Sequence, residues 1–436
     1  MNETKASREF PEKVNPNAEE TAAIGDRIDN LPNSKKLWMM VILIAVGGFF
    51  EVYDLALATP LAPGLVAAGV FRAGSAGIFG MSDQATFIAA TFLGLYLGIV
   101  AFSAIGNRVG RKTIFTYSLI WYSVATVIMG LQSDAISICI WRFIAGIALG
   151  AESMAIDCYT VELVPKHLRG RAFGISKSVA YTSVPVCLLL AATLIPISPM
   201  DVPGWRWLTF FPVFAAIAFW VIRRDLPESP LWLASRGRIE EANAILDGLD
   251  GGESVTHKKS PSNSMSQTDW APPSNYMFRV TVMMVIFFSL HTIFYYGFQN
   301  WIPTLIESQG VSLKKSLVYT FGIAISMPLA PLLFGFVSDR FERKYQLIFW
   351  GMVSIALGLL FGNANTPTGW IGFGVALTFA NAIMSFNSHC YQSEIFPTSV
   401  RAQAVGFVYS FTRLASAISG YCVAFVLARG GVNGVF

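Results

Sequence analysis

The chain has 436 residues, of which 54% are hydrophobic and only 13% are charged, and its mean hydropathy is +0.53. A soluble domain carries about 25% charged residues, so this composition excludes a soluble enzyme, a secreted disulfide scaffold and a disordered chain. The net charge of +4 does not indicate nucleic-acid binding, because the basic residues lie in short loops between apolar runs and form no single patch.

Apolar runs long enough to cross a bilayer as helices follow one another along the chain. In chain order, the predicted spans are residues 37–59, 83–103, 113–132, 136–158, 172–195, 206–222, 277–300, 316–337, 346–362, 370–392 and 403–427. We therefore predict an all-α, multi-pass membrane protein. Its expected parts are an N-terminal tail (1–36), a first half (37–222), a central linker (223–276) with a short amphipathic stretch, and a second half (277–436).

The lysines and arginines between the spans predict how the chain is oriented. Segments on the side of the N-terminus contain 22 of these residues, and segments on the other side contain four. Since basic loops stay in the cytoplasm, we expect a cytoplasmic N-terminus and linker, in the cell membrane.

Two loop motifs each occur twice in the chain. One is Asn107-Arg108-x-Gly110-Arg111, matched by Asp339-Arg340-x-x-Arg343. The other is Glu162-x-x-Pro165-x-x-x-Arg169, matched by Glu394-x-x-Pro397-x-x-x-Arg401. Both pairs are separated by 232 residues, which indicates an internal duplication of a six-span unit, as in one large class of secondary transporters.

These motifs resemble those of the major facilitator superfamily, over essentially the whole chain. Pro227-Glu228-Ser229-Pro230 and Ser393-Glu394-Ile395-Phe396-Pro397 resemble its sugar-porter-like branch, which includes aromatic-acid, niacin and organic-ion carriers. The resemblance implies the major facilitator fold, with two six-span halves and transport by alternating access. The chain departs from the family at Asn107, where Asp is usual. The repeat also places a twelfth span at 438–454, beyond Phe436. The alternatives are a truncated form of a twelve-span protein and a protein with eleven spans, and we expect the truncated form.

Two ionisable residues at similar depth, Asp54 in span 1 and Arg142 in span 4, are expected to pair. A charge inside the membrane costs roughly 2.5–3.5 kcal/mol and usually marks an ion pathway. Tyr53-Asp54 and Arg142-x-x-x-Gly146-x-x-x-Gly150 also match positions that carry proton coupling in the sugar-porter-like branch. The resemblance thus implies that Asp54 carries the proton and Arg142 is its switch partner; the alternative is a static ion pair.

Glu51 lies one helical turn before Asp54 and is the second acid of span 1. The acid-x-Tyr-acid arrangement resembles the first span of aromatic-acid/proton symporters. If both side chains face one cavity, they are expected to share a proton near neutral pH. The equal alternative is that only one faces the cavity and the other reaches outward along the helix to the interface.

Arg413, near the middle of span 11, is the expected carboxylate-binding residue, because a guanidinium fork matches a carboxylate. The alternative is a buried structural pair with Glu51 or Glu152. Span 7 provides a predicted wall of His291, Tyr295, Gln299 and Asn300 that suits a flat organic ligand, and Glu152 of span 4 is also assigned to the substrate-binding set. For His291, a structural hydrogen bond is an equal alternative.

Three further ionisable groups in the spans, Lys177, Asp157 and His389, are assigned structural roles. For Lys177 and Asp157 we expect the side chain to reach the cytoplasmic interface.

The charged residues of the loop motifs are expected to form ion pairs that hold an inner gate closed. The predicted gating set is Asn107, Arg108, Arg111, Glu162, Arg169, Asp339, Arg340, Arg343, Glu394 and Arg401.

Together these features predict a transporter that couples uptake of a small organic anion, such as an aromatic carboxylate, to protons. The alternatives are a sugar or polyol porter and, from another class, a transporter-like membrane receptor. We expect a small-molecule substrate, protons and the lipid bilayer as partners, no nucleic acid, cofactor or metal, and function as a monomer. No nucleophile–base pair or metal-ligand spacing favours an enzyme.

Overall fold

The computed structural model describes residues 18–72, Gly77, 82–223, 226–249, 274–335, 342–396 and 401–435. These residues form seventeen α-helices and one short 3-10 helix, Pro199–Asp201. In chain order the α-helices are α1 (Ala18–Asp29), α2 (Lys35–Ala56), α3 (Ala58–Ala67), α4 (Asp83–Val109), α5 (Arg111–Leu131), α6 (Ala135–Leu163), α7 (Lys166–Tyr181), α8 (Ser183–Ile197), α9 (Gly204–Arg223), α10 (Pro230–Ser235), α11 (Ile239–Leu249), α12 (Ser274–Glu307), α13 (Leu313–Ala324), α14 (Leu329–Gly335), α15 (Arg343–Gly362), α16 (Pro367–Ile395) and α17 (Arg401–Val435).

Ten helical segments of the described chain are long and apolar enough to cross a membrane. They coincide with ten of the eleven predicted spans. The remaining predicted span, 206–222, lies on the 20-residue helix α9. The predicted all-helical membrane fold is confirmed.

Three spans are each built from two consecutive helices: α2 with α3, α7 with α8, and α13 with α14. In each span the first helix ends four residues before a proline. The helix ends and their prolines are Ala56 with Pro60, Tyr181 with Pro185, and Ala324 with Pro328. Proline has no N–H to donate to the carbonyl four residues earlier, and its ring clashes with that carbonyl. These prolines therefore explain the breaks.

Close helix contacts in the first half depend on glycine. A Cβ atom added at Gly98 of α4 would lie 2.1 Å from the carbonyl oxygen of Ile147 in α6, and one at Gly94 would lie 2.3 Å from that of Phe143. Larger residues at these positions would push α4 and α6 apart.

Helices α1, α10 and α11 form a small assembly at one face of the bundle, which we call the N-terminal face. Ile28, Leu233 and Leu246 are buried in its apolar core. Arg27 of α1 donates to Asn243 of α11 at 2.8 Å, and Asp29 accepts from Lys166 Nζ at 2.7 Å. The predicted amphipathic stretch is α11, whereas α1 lies in the segment expected to be a polar tail.

Candidate functional site

The centre of the first half contains a fully buried ion pair between Asp54 of α2 and Arg142 of α6. Arg142 donates from Nη1 to the Asp54 carboxylate at 2.6 Å and from Nη2 to the Asp54 carbonyl at 2.6 Å. Thr126 of α5 donates to the other carboxylate oxygen at 3.1 Å, and Arg142 Nε donates to Thr91 of α4 at 2.9 Å. The expected pairing is present, and four helices of the first half enclose it.

The ion pair is built so that its two charges compensate each other away from water. The Arg142 guanidinium also lies over the Phe87 ring, with 5.4 Å to the ring centroid. Removal of either partner would leave an uncompensated charge in this buried position.

Glu51, one turn before Asp54, has a different environment. Its side chain is buried and interacts electrostatically with Arg413 of α17, in the second half. Asp54 is bonded only to residues of the first half in the contacts described above. The two acids of span 1 are both buried and lie near different cations. The proton shared between them stays a prediction.

Arg413 is the buried cation between the two halves. It is 5% exposed, donates to the Tyr296 hydroxyl at 3.2 Å and to the Tyr409 hydroxyl, and lies over the Tyr409 ring. Its Nε atom is buried and has no hydrogen-bond partner. The two hydroxyls position the guanidinium without cancelling its charge, and Glu51 is the acid that acts on it electrostatically.

The residues predicted on span 7 separate into two groups. His291 and Tyr295 lie in an aromatic cluster near Arg413: His291 stacks on Phe287 with centroids 6.3 Å apart, and its ring lies 6.1 Å from that of Tyr295. Tyr295 in turn packs edge-on against Tyr296, 5.0 Å away. His291 and Tyr295 are therefore placed with Arg413.

Gln299 and Asn300 instead lie at the contact between the two halves, on the side of the bundle away from the N-terminal face. Thr59 of α3 contacts the Gln299 carbonyl oxygen at 3.5 Å and the Asn300 side-chain oxygen at 3.4 Å. Farther along, Gln84 donates to Thr304 at 3.0 Å. These contacts close the space between the halves on that side, which we call the opposite face.

Glu152 lies on the same helix as Arg142, toward the end of α6. Its side chain is fully buried in α6, about 15 Å along the helix from Arg142 by helical rise. Glu152 is thus on the same helix as the buried ion pair, and nearer the N-terminal face.

Two stripes of residues face open space between the halves. One lies on α7, and the other consists of Gly406 and Arg413 on α17. Gly170, Gly174, Lys177 and Tyr181 follow one face of α7 at intervals of three or four residues. A Cβ atom added at Gly170 or Gly174 would meet no atom within 4 Å. The same is true of Gly406, which lies two turns before Arg413 on α17.

Tyr181 connects the two stripes at their inner end. It interacts electrostatically with Arg413, Tyr296 and Tyr409 across the interface. Its neighbour Ser178 donates to the Pro328 carbonyl of the second half at 2.8 Å. We infer from these contacts that the stripes line a cavity that opens at the N-terminal face and ends at Tyr181 and Arg413.

Three of the described gating arginines have contacts within their own halves. Arg111 pairs with Glu162 at 3.0 Å, Arg169 donates from Nε to the Val164 carbonyl at 3.0 Å, and Arg343 lies 3.5 Å from Asn387. Arg108 is exposed at the end of α4.

The remaining gating residues fall outside what the structure describes. Asp339 and Arg340 lie outside the described residues, as do the side chains of Asn107, Glu394 and Arg401. The role of the set in a gate stays a prediction.

The structure gives Glu228 a role that the sequence analysis did not assign. Its carboxylate accepts from the backbone N–H groups of Arg111 and Lys112, both at 3.0 Å, at the start of α5. Gly110 precedes them with φ 98°, and a Cβ atom there would lie 2.5 Å from the Glu228 carboxylate. The motif that carries the family resemblance thus caps a transmembrane helix.

Lys177 and Tyr181 were also missed as cavity residues. The signal was available, because Gly170, Gly174, Lys177 and Tyr181 share one helix face by spacing alone. Nothing in one sequence, however, distinguishes a face that lines a cavity from a face that packs on another helix.

Comparison with known proteins gives one family and several full-length relatives. The family described as Sugar (and other) transporter matches residues 40–436. The putative metabolite transport protein YyaJ of Bacillus subtilis (strain 168) is 27% identical, over 94% of this chain and 90% of YyaJ. The niacin transporter NiaP of Acinetobacter baylyi is 25% identical, over 94% of this chain and 92% of NiaP. The cis,cis-muconate transport protein of the same species is 27% identical, over 79% of this chain and 78% of that protein.

The fold is also shared with a solved structure. The xylose transporter XylE from E. coli, in its inward open conformation, superposes with a TM-score of 0.67 at 17% identity, covering 91% of this chain and 93% of XylE. At this identity the similarity establishes the major facilitator architecture alone.

Proposed function

The chain belongs to the sugar (and other) transporter family of the major facilitator superfamily, and on that basis we propose that it carries out proton-coupled uptake of a small organic anion. It is a multi-pass membrane transporter of the sugar and metabolite type. The substrate class, the proton coupling and the direction of transport are the proposal.

The observation that carries the proposal is Arg413 at the inner end of the cavity. A guanidinium held by two neutral hydroxyls, with a buried Nε free of hydrogen bonds, favours a ligand with a carboxylate. The niacin and muconate transporters among the relatives support an organic acid.

Proton coupling is assigned to Asp54 and Arg142. In the state described here they are paired and closed off from water. We propose that the transition between states separates them, that Asp54 then takes a proton, and that the return of Arg142 releases it. Glu51, beside Arg413, assists by compensating the cation when the site is empty.

The charges between the spans support a cytoplasmic N-terminal face. With that orientation, the state described here is the one that releases substrate to the cytoplasm. The charged loop residues of both halves then form the inner gate, which is open in this state.

The test is uptake into proteoliposomes that contain the full chain, with and without an inward proton gradient. The labelled panel is benzoate, nicotinate, adipate, glucose and xylitol. We expect gradient-driven accumulation of an acid. Asp54→Asn is expected to abolish accumulation but to retain exchange of labelled for unlabelled acid, and Arg413→Ala is expected to lose both.

Other outcomes would replace the proposal with its alternatives. Flux of glucose or xylitol that needs no gradient and survives Arg413→Ala would establish a sugar or polyol porter. Binding of an acid without flux or exchange would instead favour a receptor.

A further inference from the structure

The end of α1 is joined to the start of α7 by one carboxylate. Asp29, the last residue of α1, accepts from the backbone N–H of Lys166 at 3.1 Å and from Lys166 Nζ at 2.7 Å. Its Oδ1 atom also lies 4.0 Å from Nη2 of Arg169. Lys166 is the first residue of α7, so this carboxylate lies at the positive end of that helix, where a negative charge is stabilising.

The position of Asp29 is fixed by the packing of the rest of α1. Ile28 is buried against α10 and α11, and Leu31, just after α1, lies in the same apolar core. Arg27 donates to the side chain of Asn243 in α11 at 2.8 Å. Because a packed helix presents Asp29 to α7, the contact orders less of the chain than an ion pair between two free surface side chains would.

The assembly of α1, α10 and α11 is itself attached to the first half. Lys36 Nζ of α2 donates to the Gly248 carbonyl of α11 at 3.0 Å. The Tyr159 hydroxyl of α6 donates at 2.6 Å to the carbonyl of Pro227, just before α10, and the neighbouring Glu228 accepts from the start of α5. Helix α1 therefore connects the start of α7 to a body that is fixed on α2, α5 and α6.

Helix α7 is the element whose position this contact can control. Its open stripe begins at Gly170 and Gly174, at the mouth of the cavity, and the break after Tyr181 separates it from α8. A helix that is attached at its start and broken at its end can tilt once the attachment is released. Arg169, directly before the stripe, also belongs to the predicted gating set, and Asp29 lies beside it in the first half.

We propose that Asp29 is a positioning residue for alternating access, which holds the start of α7 in the open position at the N-terminal face. When the halves close at that face, α7 tilts and Asp29 releases Lys166 and Arg169. The contact thus stabilises the state described here relative to the state that is open at the opposite face. This role depends neither on the substrate class nor on proton coupling.

Thiol labelling of the full chain, purified and without substrate, tests this role. Gly174→Cys reports on opening at the N-terminal face, and Gln84→Cys reports on the contact at the opposite face. Each is combined with Asp29→Asn, Asp29→Glu or Glu241→Gln, and the rate of reaction with a membrane-impermeant maleimide is measured. Glu241 is the matched control, because it is an exposed acid of the same assembly whose carboxylate accepts from Arg238, close to it in the chain, at 2.7 Å.

We expect Asp29→Asn to slow labelling at position 174 and to speed labelling at position 84. The ratio of the two rates should fall about two- to fivefold, the range that one charge at a helix end or one partly exposed ion pair provides. Asp29→Glu keeps the charge and should restore most of the wild-type ratio. Glu241→Gln should leave the ratio unchanged.

A wild-type ratio in Asp29→Asn would overturn the inference, and a lower unfolding temperature together with that ratio would show that the contact is only structural. An equal fall of the ratio in Glu241→Gln would also overturn it, because the effect would then come from general loosening of the assembly.

Discussion

Asp54 lies beside Arg142 in a part of the bundle where neither side chain has exposed surface. Removal of either group destabilises the protein, because the other group is then left as an uncompensated buried charge. The stability of the protein and its proposed coupling therefore depend on the same contact. A protein that separates the pair during transport must provide a proton when it does so.

This dependence predicts the outcome of a double substitution. Arg142→Leu should lower the free energy of unfolding by about 3–5 kcal/mol, seen as a lower unfolding temperature in detergent by tryptophan fluorescence. Adding Asp54→Asn should recover part of the loss, since the carboxylate is then neutral. Arg108→Leu, at an exposed helix end, serves as control; a double variant no more stable than Arg142→Leu would contradict the argument.

The sequence was sufficient to predict this pair, but it offered the contact between Glu51 and Arg413 only as one of several alternatives. Residue counts along two antiparallel spans gave Asp54 and Arg142 the same depth. Which cation faces Glu51 depends on how α2 is rotated against α17, and helix rotation is set by packing of many side chains. Arg413 was identified as a buried cation for the same reason as Asp54, whereas its phenol partners depend on tertiary contacts.

At the scale of helices, the breaks in three spans place flexible points beside the cavity. The α7–α8 break follows Tyr181, at the inner end of the cavity, and Pro185 is its cause. The part of the span that carries Lys177 can therefore tilt without moving α8. Discontinuous helices next to a site are a recurrent feature of secondary transporters.

Pro185→Ala should make α7 and α8 continuous, because residue 185 then donates to the Tyr181 carbonyl. We expect the initial rate of acid uptake in proteoliposomes to fall several-fold, while the unfolding temperature stays equal or rises, since proline is unfavourable inside a helix. Pro196→Ala, near the other end of α8, is the matched control. An uptake rate equal to that of wild type would show that the break is not used in transport.

Hydropathy located the spans but not their breaks. Pro60, Pro185 and Pro328 lie inside apolar stretches, so a window long enough to detect a span averages over them. Helix α1 was missed for the opposite reason: its segment is polar overall, and its apolar residues Ile24 and Ile28 are buried only against α10 and α11. That contact joins positions more than 200 residues apart, which local pattern does not reveal.

At the scale of the molecule, the two halves touch near the opposite face and diverge toward the N-terminal face. Gln84 and Thr304 bond at the closed end, and Gly170, Gly174 and Gly406 face open space at the other. The 232-residue repeat predicted two equivalent halves. YyaJ and NiaP each align with this chain over 94% of its length. The repeat alone is symmetric, however, and does not specify which end is closed.

Accessibility to a thiol reagent tests this asymmetry. A cysteine replacing Gly174 has room, because its Cβ meets no atom within 4 Å, and it should react with a membrane-impermeant maleimide added at the N-terminal face. Gln84→Cys, 4% exposed at the closed end, should react slowly from either side. The wild-type chain, with its own five cysteines, measures the background.

The transported acid should change the maleimide labelling rates at positions 174 and 84 in opposite directions. Closure of the halves over a bound acid shields position 174, and the transition to the other state opens the contact between Gln84 and Thr304. Labelling at 174 should therefore fall and labelling at 84 should rise when saturating acid is added, with both changes absent in Arg413→Ala. A labelling rate at position 174 that is unchanged by the acid would mean that the α7 stripe does not move during transport. Alternating access would then require movement at a different part of the interface.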